Sequence, residues 1–162
     1  MATKQRPVDA GTERGQAILA DLRRSFRRVS VERMVSGPGL ANLYNAIAGI
    51  EGKPAQHRLE RDIWTAAIEG SDPLASSALD RFLRILGAVA GDLALAHGAN
   101  AVVIAGGLGY RLKDRFRASG FAERFTAKGR FERRMANIGV ELVNYPEPGL
   151  YGAAAAFARE FP

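Results

Sequence analysis

The sequence predicts an α/β fold that is mostly helical and contains a short parallel sheet. Apolar residues recur at helical spacing through most of the chain. Two short runs have the length and composition of strands, 101–105 and 140–143. The first, Ala-Val-Val-Ile-Ala, is continuously apolar, which is typical of a parallel strand that is buried on both faces.

The N-terminal segment is interpreted as a basic tail, residues 1–11, that precedes a predicted domain over residues 12–162. Thr12 is a suitable cap for a helix that runs to about Phe26, with Ile18, Leu22 and Phe26 in one apolar row. Residues 9–12, Asp-Ala-Gly-Thr, superficially resemble a phosphate loop. Such a loop needs a buried strand before it, and residues 3–7 do not form one, so we do not interpret it as a nucleotide site.

Residues 30–44 predict a short helix, a tight corner and a second helix. Ser30 is expected to cap the first helix, Gly37 to end it in the left-handed conformation, and Pro38 to occupy the first position of the second. Glu32 then lies at the corner, where its carboxylate could bind a ligand. The alternative is a glutamate that complements the helix dipole on a solvated helix start, which local sequence alone favours.

The segment after this corner predicts three helices and their ends. The second helix should pack through one apolar face, and Gly52 and Pro54 should break it. A helix over 60–68 follows, closed by Gly70, and Asp72 is expected to cap a long central buried helix over 73–97. The apolar face of the second helix comprises Leu40, Leu43, Tyr44, Ile47 and Ile50. Gly87 and Gly91, four apart in the long helix, would let another backbone approach closely.

The first predicted strand ends at two glycines, Gly106 and Gly107. Ligands of open parallel sheets lie at the carboxyl ends of strands, and glycines there let the backbone meet a ligand directly. A plain strand-to-helix turn is the alternative. Helices are expected over 110–118, 121–125, 132–138 and 150–160, and the last of these should pack on the sheet through its small residues 152–156.

Composition excludes several classes of protein. The 162 residues are 47% hydrophobic, enough for a core, and no run has the length of a membrane-spanning helix. Without a signal peptide or cysteines, a cytoplasmic location is expected. The two histidines lack ligand spacing, so no metal site is predicted. The formal charge of +6 fits solvated arginine-rich helix faces better than a nucleic-acid interface.

Four segments together, in order and spacing, resemble the bacterial glucokinase family of the hexokinase and actin-like superfamily. They are 31–44, 104–107, 128–131 and 149–154. The resemblance corresponds to the C-terminal half of such an enzyme. It implies the helix-rich C-terminal part of an actin-like, ribonuclease H-like ATPase domain, whose short parallel sheet is incomplete. Because open sheet edges invite pairing, we expect a homodimer or a requirement for the missing N-terminal half.

The resemblance also implies roles for individual residues. Glu32 would hydrogen-bond sugar hydroxyls of glucose, and Gly106 and Gly107 would line the adenine and ribose site of ATP, with residues 149–153 packed close behind. The magnesium that accompanies ATP would bind outside this chain. No catalytic residue is assigned, because the general-base aspartate and the phosphate loops of the family do not occur here. Two readings of Met1 stay open, a natural start and a truncation, as does the alternative of a non-catalytic remnant with a weak nucleotide site or a dimerisation role.

Overall fold

The structure, a computed structural model, describes residues 13–57 and 59–161 and is mostly helical, as predicted. The predicted tail, the Thr12 cap and the phosphate-loop-like segment lie outside these residues. The chain divides into two compact units, Met1–Leu86 and Gly87–Pro162. The boundary falls inside the longest helix, α4 (Pro73–Ala96).

The first unit is a set of helices that pack around α2. It contains α1 (Glu13–Ser25), a 3₁₀ turn (Val31–Arg33), α2 (Gly37–Glu51), α3 (Glu60–Glu69) and the first part of α4. Helices α1 and α3 both contact α2. The larger side chains that form this core are Ile18, Leu22, Leu40, Leu43, Tyr44, Ile47, Ile63, Trp64, Leu79, Phe82 and Leu83.

The predicted apolar face of α2 is buried except at its end. Ile50 was expected in the core but is 39% exposed, because it lies on the last turn of the helix, two residues before Gly52. Gly52 and Gly70 end α2 and α3 with φ values of 61° and 77°, as their positions predicted. These left-handed caps are conformations that glycine adopts without strain.

A buried polar cluster, Tyr44, Asp72 and His57, connects α2 to the start of α4. Asp72 caps α4 as predicted, since one carboxylate oxygen accepts the backbone N–H of Leu74 at 2.7 Å. Its other oxygen accepts the Tyr44 hydroxyl at 3.0 Å and lies 3.4 Å from the His57 ring nitrogen Nε2. The Tyr44 oxygen in turn accepts the backbone N–H of Gln56 at 2.9 Å. One cap therefore also fixes the connection that follows α2.

The second unit contains the sheet. Its elements after α4 are β1 (Ala101–Ile104), α5 (Gly107–Phe116), α6 (Phe121–Thr126), a 3₁₀ turn (Gly129–Phe131), α7 (Glu132–Met135), β2 (Gly139–Leu142) and α8 (Pro148–Glu160). The strands pair in parallel, with Ala101 opposite Gly139 and Ile104 opposite Leu142. The predicted strand pair is confirmed, whereas α5 begins three residues before the predicted helix and α7 ends three residues before its predicted end.

The two glycines of α4 meet other backbone segments, as predicted. A Cβ on Gly87 would collide with the carbonyl oxygen of Phe121, and one on Gly91 with that of Phe125. Lys128 adds a polar contact on this side of the helix, because its ammonium donates to the carbonyl of Ala88 at 2.8 Å. Helix α6 and the turn after it therefore lie directly against the α4 backbone.

Three predicted burials in the second unit are wrong. Strand β1 was expected to be buried on both faces, but Val103 is 60% exposed and the strand alternates between exposed and half-buried residues. Helix α8 buries none of its residues, so its small face does not pack on the sheet. Leu93, in the later turns of α4, is 55% exposed. In each case the apolar surface has no covering element within the described residues.

Candidate functional site

Glu32 lies in the single 3₁₀ turn that precedes α2, and three contacts hold its backbone. The Ser36 hydroxyl donates to the carbonyl of Glu32 at 2.6 Å, and the Asn42 amide donates to the carbonyl of Arg33 at 2.9 Å. Gly39 allows the turn to lie against α2, because a Cβ there would come within 2.6 Å of the Met34 backbone. The corner therefore presents Glu32 on a fixed backbone.

The capping of this corner differs from the sequence prediction. Ser30 is at the start of the turn but makes no side-chain cap hydrogen bond, and Gly37 is the first residue of α2 instead of a left-handed end. Ser36 is the cap, since its hydroxyl accepts the backbone N–H of Gly39 at 3.0 Å. A single 3₁₀ turn leaves few free N–H groups for Ser30 to satisfy, whereas α2 needs a cap. Pro38 occupies the first turn of α2, as predicted.

The Glu32 side chain is exposed, and its carboxylate makes no hydrogen bond or ion pair within the described part of the chain. Its neighbour Arg33 does not pair with it, because the guanidinium lies over the Phe26 ring, 4.4 Å from the centroid. A carboxylate that is free but held by its backbone can accept hydrogen bonds from hydroxyl groups of a ligand. The dipole reading of Glu32 is weak for a turn of three residues.

The corner is also tied to α3. The indole N–H of Trp64 donates to the carbonyl of Gly37 at 3.0 Å, and the Trp64 ring packs edge-on against Phe82 with 5.4 Å between centroids. Trp64 is 3% exposed, which confirms its prediction as a packing residue. The start of α2 is therefore anchored on both sides, by Ser36 and by Trp64.

Gly106 and Gly107 form the joint between β1 and α5 in the second unit. Gly106 has φ 91° and ψ −178°, a conformation that side-chain-bearing residues rarely adopt. A Cβ on either glycine would have no heavy atom within 4 Å, so the space beside both is open. Packing within the chain does not explain why residue 107 lacks a side chain. This open joint fits close approach of a ligand to the backbone, and its location at the carboxyl end of a strand is as predicted.

The predicted site residues lie in different units, Glu32 in the first and the two glycines in the second. The segment 149–153, expected close behind the glycines, is in the exposed helix α8. Among residues 13–57 and 59–161, no cluster of acidic and imidazole side chains is suited to a metal ion. The helices in this part of the chain are all too short or too polar to span a membrane.

Sequence reasoning did not identify Ser36, Gly39 and Asn42 as the residues that support Glu32. A signal was present for Ser36, because serine two residues before a proline is a common start of a helix. Gly39 and Asn42 act through contacts with the preceding turn, which helical periodicity does not report.

Comparison with known proteins gives one consistent result. A family model described as Glucokinase matches residues 6–160. A glucokinase of Zymomonas mobilis is 57% identical over 144 residues, and one of Photorhabdus laumondii is 42% identical over 152 residues. A crystal structure of a glucokinase from an Antarctic psychrotroph is similar with a TM-score of 0.80, at 35% identity, over 93% of this chain.

These matches differ from the chain in length. They cover 89% and 93% of the chain but only 44% of the Zymomonas protein, 47% of the Photorhabdus protein and 47% of the crystallised chain. The chain thus spans about half the length of the relatives that it matches.

Proposed function

This chain belongs to the glucokinase family, and we propose that it is the C-terminal part of a glucokinase, which phosphorylates glucose to glucose 6-phosphate with ATP. The observation that carries the proposal is the free carboxylate of Glu32 on a corner held by Ser36 and Gly39. It lies within the segment 31–44 that resembles the family's sugar-contacting element. Cytoplasm is the proposed location.

Glu32 would contribute affinity and orientation for the sugar. An ionised carboxylate is an acceptor only, so it can receive two hydroxyl donors without reorienting. A hydrogen bond to a charged group contributes about 1.5–3 kcal/mol, which corresponds to a roughly tenfold to hundredfold effect on binding. The contacts to Ser36 and Asn42 would lower the entropic cost of holding this acceptor in place.

Gly106 and Gly107 would line the nucleotide site. Their open surroundings fit a base or ribose that lies directly against the backbone. ATP, when bound with magnesium as its counter-ion, supplies the phosphoryl group that is transferred. Residues for magnesium and for the triphosphate are not assigned to this chain.

The chain alone is proposed to be inactive. Phosphoryl transfer depends on positioned phosphate loops and a base for the attacking hydroxyl. The family motifs for these parts, Asp-x-Gly-Gly-Thr-Asn, Gly-Thr-Gly-Leu-Gly and the Asn-Asp pair, do not occur in the sequence. Activity would therefore need a separate N-terminal half. The exposed apolar residues of α8, which include Leu150, Tyr151 and Phe157, support this requirement.

Complementation tests the proposal. The chain is mixed with a separately produced N-terminal half, taken from the Zymomonas relative upstream of the matched region, and formation of glucose 6-phosphate is measured by a coupled assay. We expect background activity for each half and glucose-dependent activity for the mixture. A mixture that forms a stable complex but stays at background would refute the proposal.

Substitution of Glu32 separates sugar binding from assembly. Glu32→Gln should raise the KM for glucose about tenfold or more in the complemented enzyme, while the yield of complex is unchanged. Glu69→Gln is the matched control, since Glu69 is an exposed glutamate at the end of α3. Equal effects of the two substitutions would contradict the role of Glu32.

A second candidate is a non-catalytic remnant that keeps a weak adenine-nucleotide site or a dimer surface. The exposed face of α8 and the free outer edges of β1 and β2 in the described sheet favour it. Calorimetry with ATP and ADP tests the nucleotide site, and light scattering after size-exclusion chromatography tests the dimer. A monomer that gives no heat with either nucleotide would exclude this candidate.

A further inference from the structure

A cavity of about 380 Å³ lies at the amino edge of the two-stranded sheet, away from the glycine joint. The residues that line it precede the two strands or end α7: Ala99, Asn100, Arg133, Arg134, Asn137 and Ile138. Gly106 and Gly107 follow the opposite end of β1, and a strand of four residues is about 13 Å long. The cavity is therefore separate from the proposed nucleotide site.

The two guanidinium groups are not used to cap the helix that carries them. Each of the last four carbonyls of α7 already accepts a hydrogen bond. The donors are the backbone N–H groups of Ala136, Asn137 and Ile138, at 2.9, 3.1 and 3.1 Å, and the Asn137 side-chain amide at 3.1 Å. Capping therefore does not account for either arginine.

Arg133 and Arg134 also lack a carboxylate partner. Within the described residues, neither side chain forms an ion pair or a ring contact. The cavity lining contains no acidic residue, and it adds two carboxamides, Asn100 and Asn137. Two cations in one concave surface without a counter-charge attract an anion.

We propose that this cavity binds the phosphoryl group of a small phosphorylated metabolite. Guanidinium groups match the geometry of phosphate oxygens and can bind them through two parallel hydrogen bonds. The volume is in the lower part of the range of small-molecule pockets, about 300–1,000 Å³, and leaves room for more than the phosphate alone. The amides of Asn100 and Asn137 would bind the polar groups attached to it.

Titration of the full chain tests the proposal with two probes, inorganic phosphate and glycerol 3-phosphate, at constant ionic strength set with chloride. Binding is followed by calorimetry and by ¹H–¹⁵N NMR. We expect saturable binding of both probes, tighter for the phosphomonoester, with the largest amide shifts at Asn100, Asn137 and Ile138. The NMR arm uses the unmodified chain, so it does not depend on the folding of a variant.

A paired substitution identifies the groups that bind. Arg133→Gln with Arg134→Gln should weaken both probes by about tenfold or more. Arg27→Gln with Arg28→Gln is the matched control, because it removes the same charge from two adjacent exposed arginines, and it should change affinity less than about twofold.

Three results would overturn the assignment. The first is no saturable binding of either probe, and the second is equal weakening by both pairs of substitutions, which would indicate general charge attraction. The third is tighter, strongly salt-dependent binding of a short DNA duplex with the same dependence on Arg133 and Arg134. Equal affinity for the two probes would narrow the ligand to the phosphate group itself and still support the site.

Discussion

The Tyr44 hydroxyl is predicted to be the main polar contribution to the stability of the first unit. It donates to Asp72 at 3.0 Å and accepts the backbone N–H groups of Gln56 and His57 at 2.9 and 3.3 Å. Tyr44→Phe leaves the ring in the core and removes these three contacts. The perturbation therefore tests hydrogen bonding with little change in packing volume.

The magnitude follows from which partners can reach water. Gln56 lies in an exposed connection, so water can replace the hydroxyl at its N–H. Asp72 is 4% exposed, so the oxygen that loses Tyr44 keeps only the His57 ring. A hydrogen bond to a charged group contributes about 1.5–3 kcal/mol. We expect Tyr44→Phe to lower the free energy of unfolding by about 2 kcal/mol.

The same contact predicts a pH dependence. Burial raises the pKa of Tyr44 above its ordinary value, and the Asp72 carboxylate acts in the same direction. The folded state then keeps the phenolic proton to higher pH than the unfolded chain. This contribution to stability is complete below about pH 10 and is lost as the pH rises through the higher pKa of the folded state.

Urea unfolding, followed through Trp64 emission from pH 7 to 11, measures both effects. Tyr110→Phe is the control, because Tyr110 is 39% exposed and its hydroxyl makes no hydrogen bond within the described residues. It should change stability by less than about 0.5 kcal/mol. The reasoning is refuted if Tyr44→Phe unfolds at the wild-type urea concentration, or if it retains the alkaline loss of stability.

Two further predictions concern backbone contacts. Gly87→Ala should destabilise the chain by about 1–3 kcal/mol because its Cβ meets the Phe121 carbonyl, whereas Gly49→Ala, where a Cβ meets nothing, should stabilise it by about 0.5–1 kcal/mol. Thermal unfolding of both variants checks this, and similar shifts for the two would contradict it. Ser36→Ala should cost about 1 kcal/mol in urea unfolding through loss of the α2 cap, with Ser30→Ala near neutral as the control. A larger loss from Ser30→Ala would reverse that assignment.

Sequence predicted the elements that depend on local chemistry. Glycine at Gly52 and Gly70 and aspartate at Asp72 satisfy or end a helix within a few residues, so their roles can be read without the fold. Gly87 and Gly91 were predicted from their spacing, because two glycines on one helical face remove the side chains that would hold another backbone away.

Burial that depends on another element was not predictable in the same way. Apolar composition shows that β1 and α8 favour contact with other apolar surface, but not whether the chain supplies it. Strand β1 is covered on one side only, through α5, and α8 stays exposed. The corner failed for another reason. Ser30 and Ser36 are both acceptable caps locally, and only the contact of Gly39 with Met34 distinguishes them.

The location of the candidate site was predicted better than its support. Glu32 and the Gly106–Gly107 joint lie at a corner and at a strand end, as the sequence indicated. Their roles in sugar and nucleotide binding stay predictions. The contacts that hold Glu32 come from side chains four to ten residues away, whose directions depend on how the turn meets α2.

The chain contains a single tryptophan, and its indole N–H bonds the first carbonyl of α2, beside the turn that carries Glu32. That arrangement provides a natural optical reporter at the candidate sugar site. Indole emission responds to changes in its hydrogen bond and in the polarity around its ring. A sugar that tightens the corner should therefore alter the emission of Trp64 without any added label, and in a complex of two halves the signal would come from this half whenever the partner lacks tryptophan.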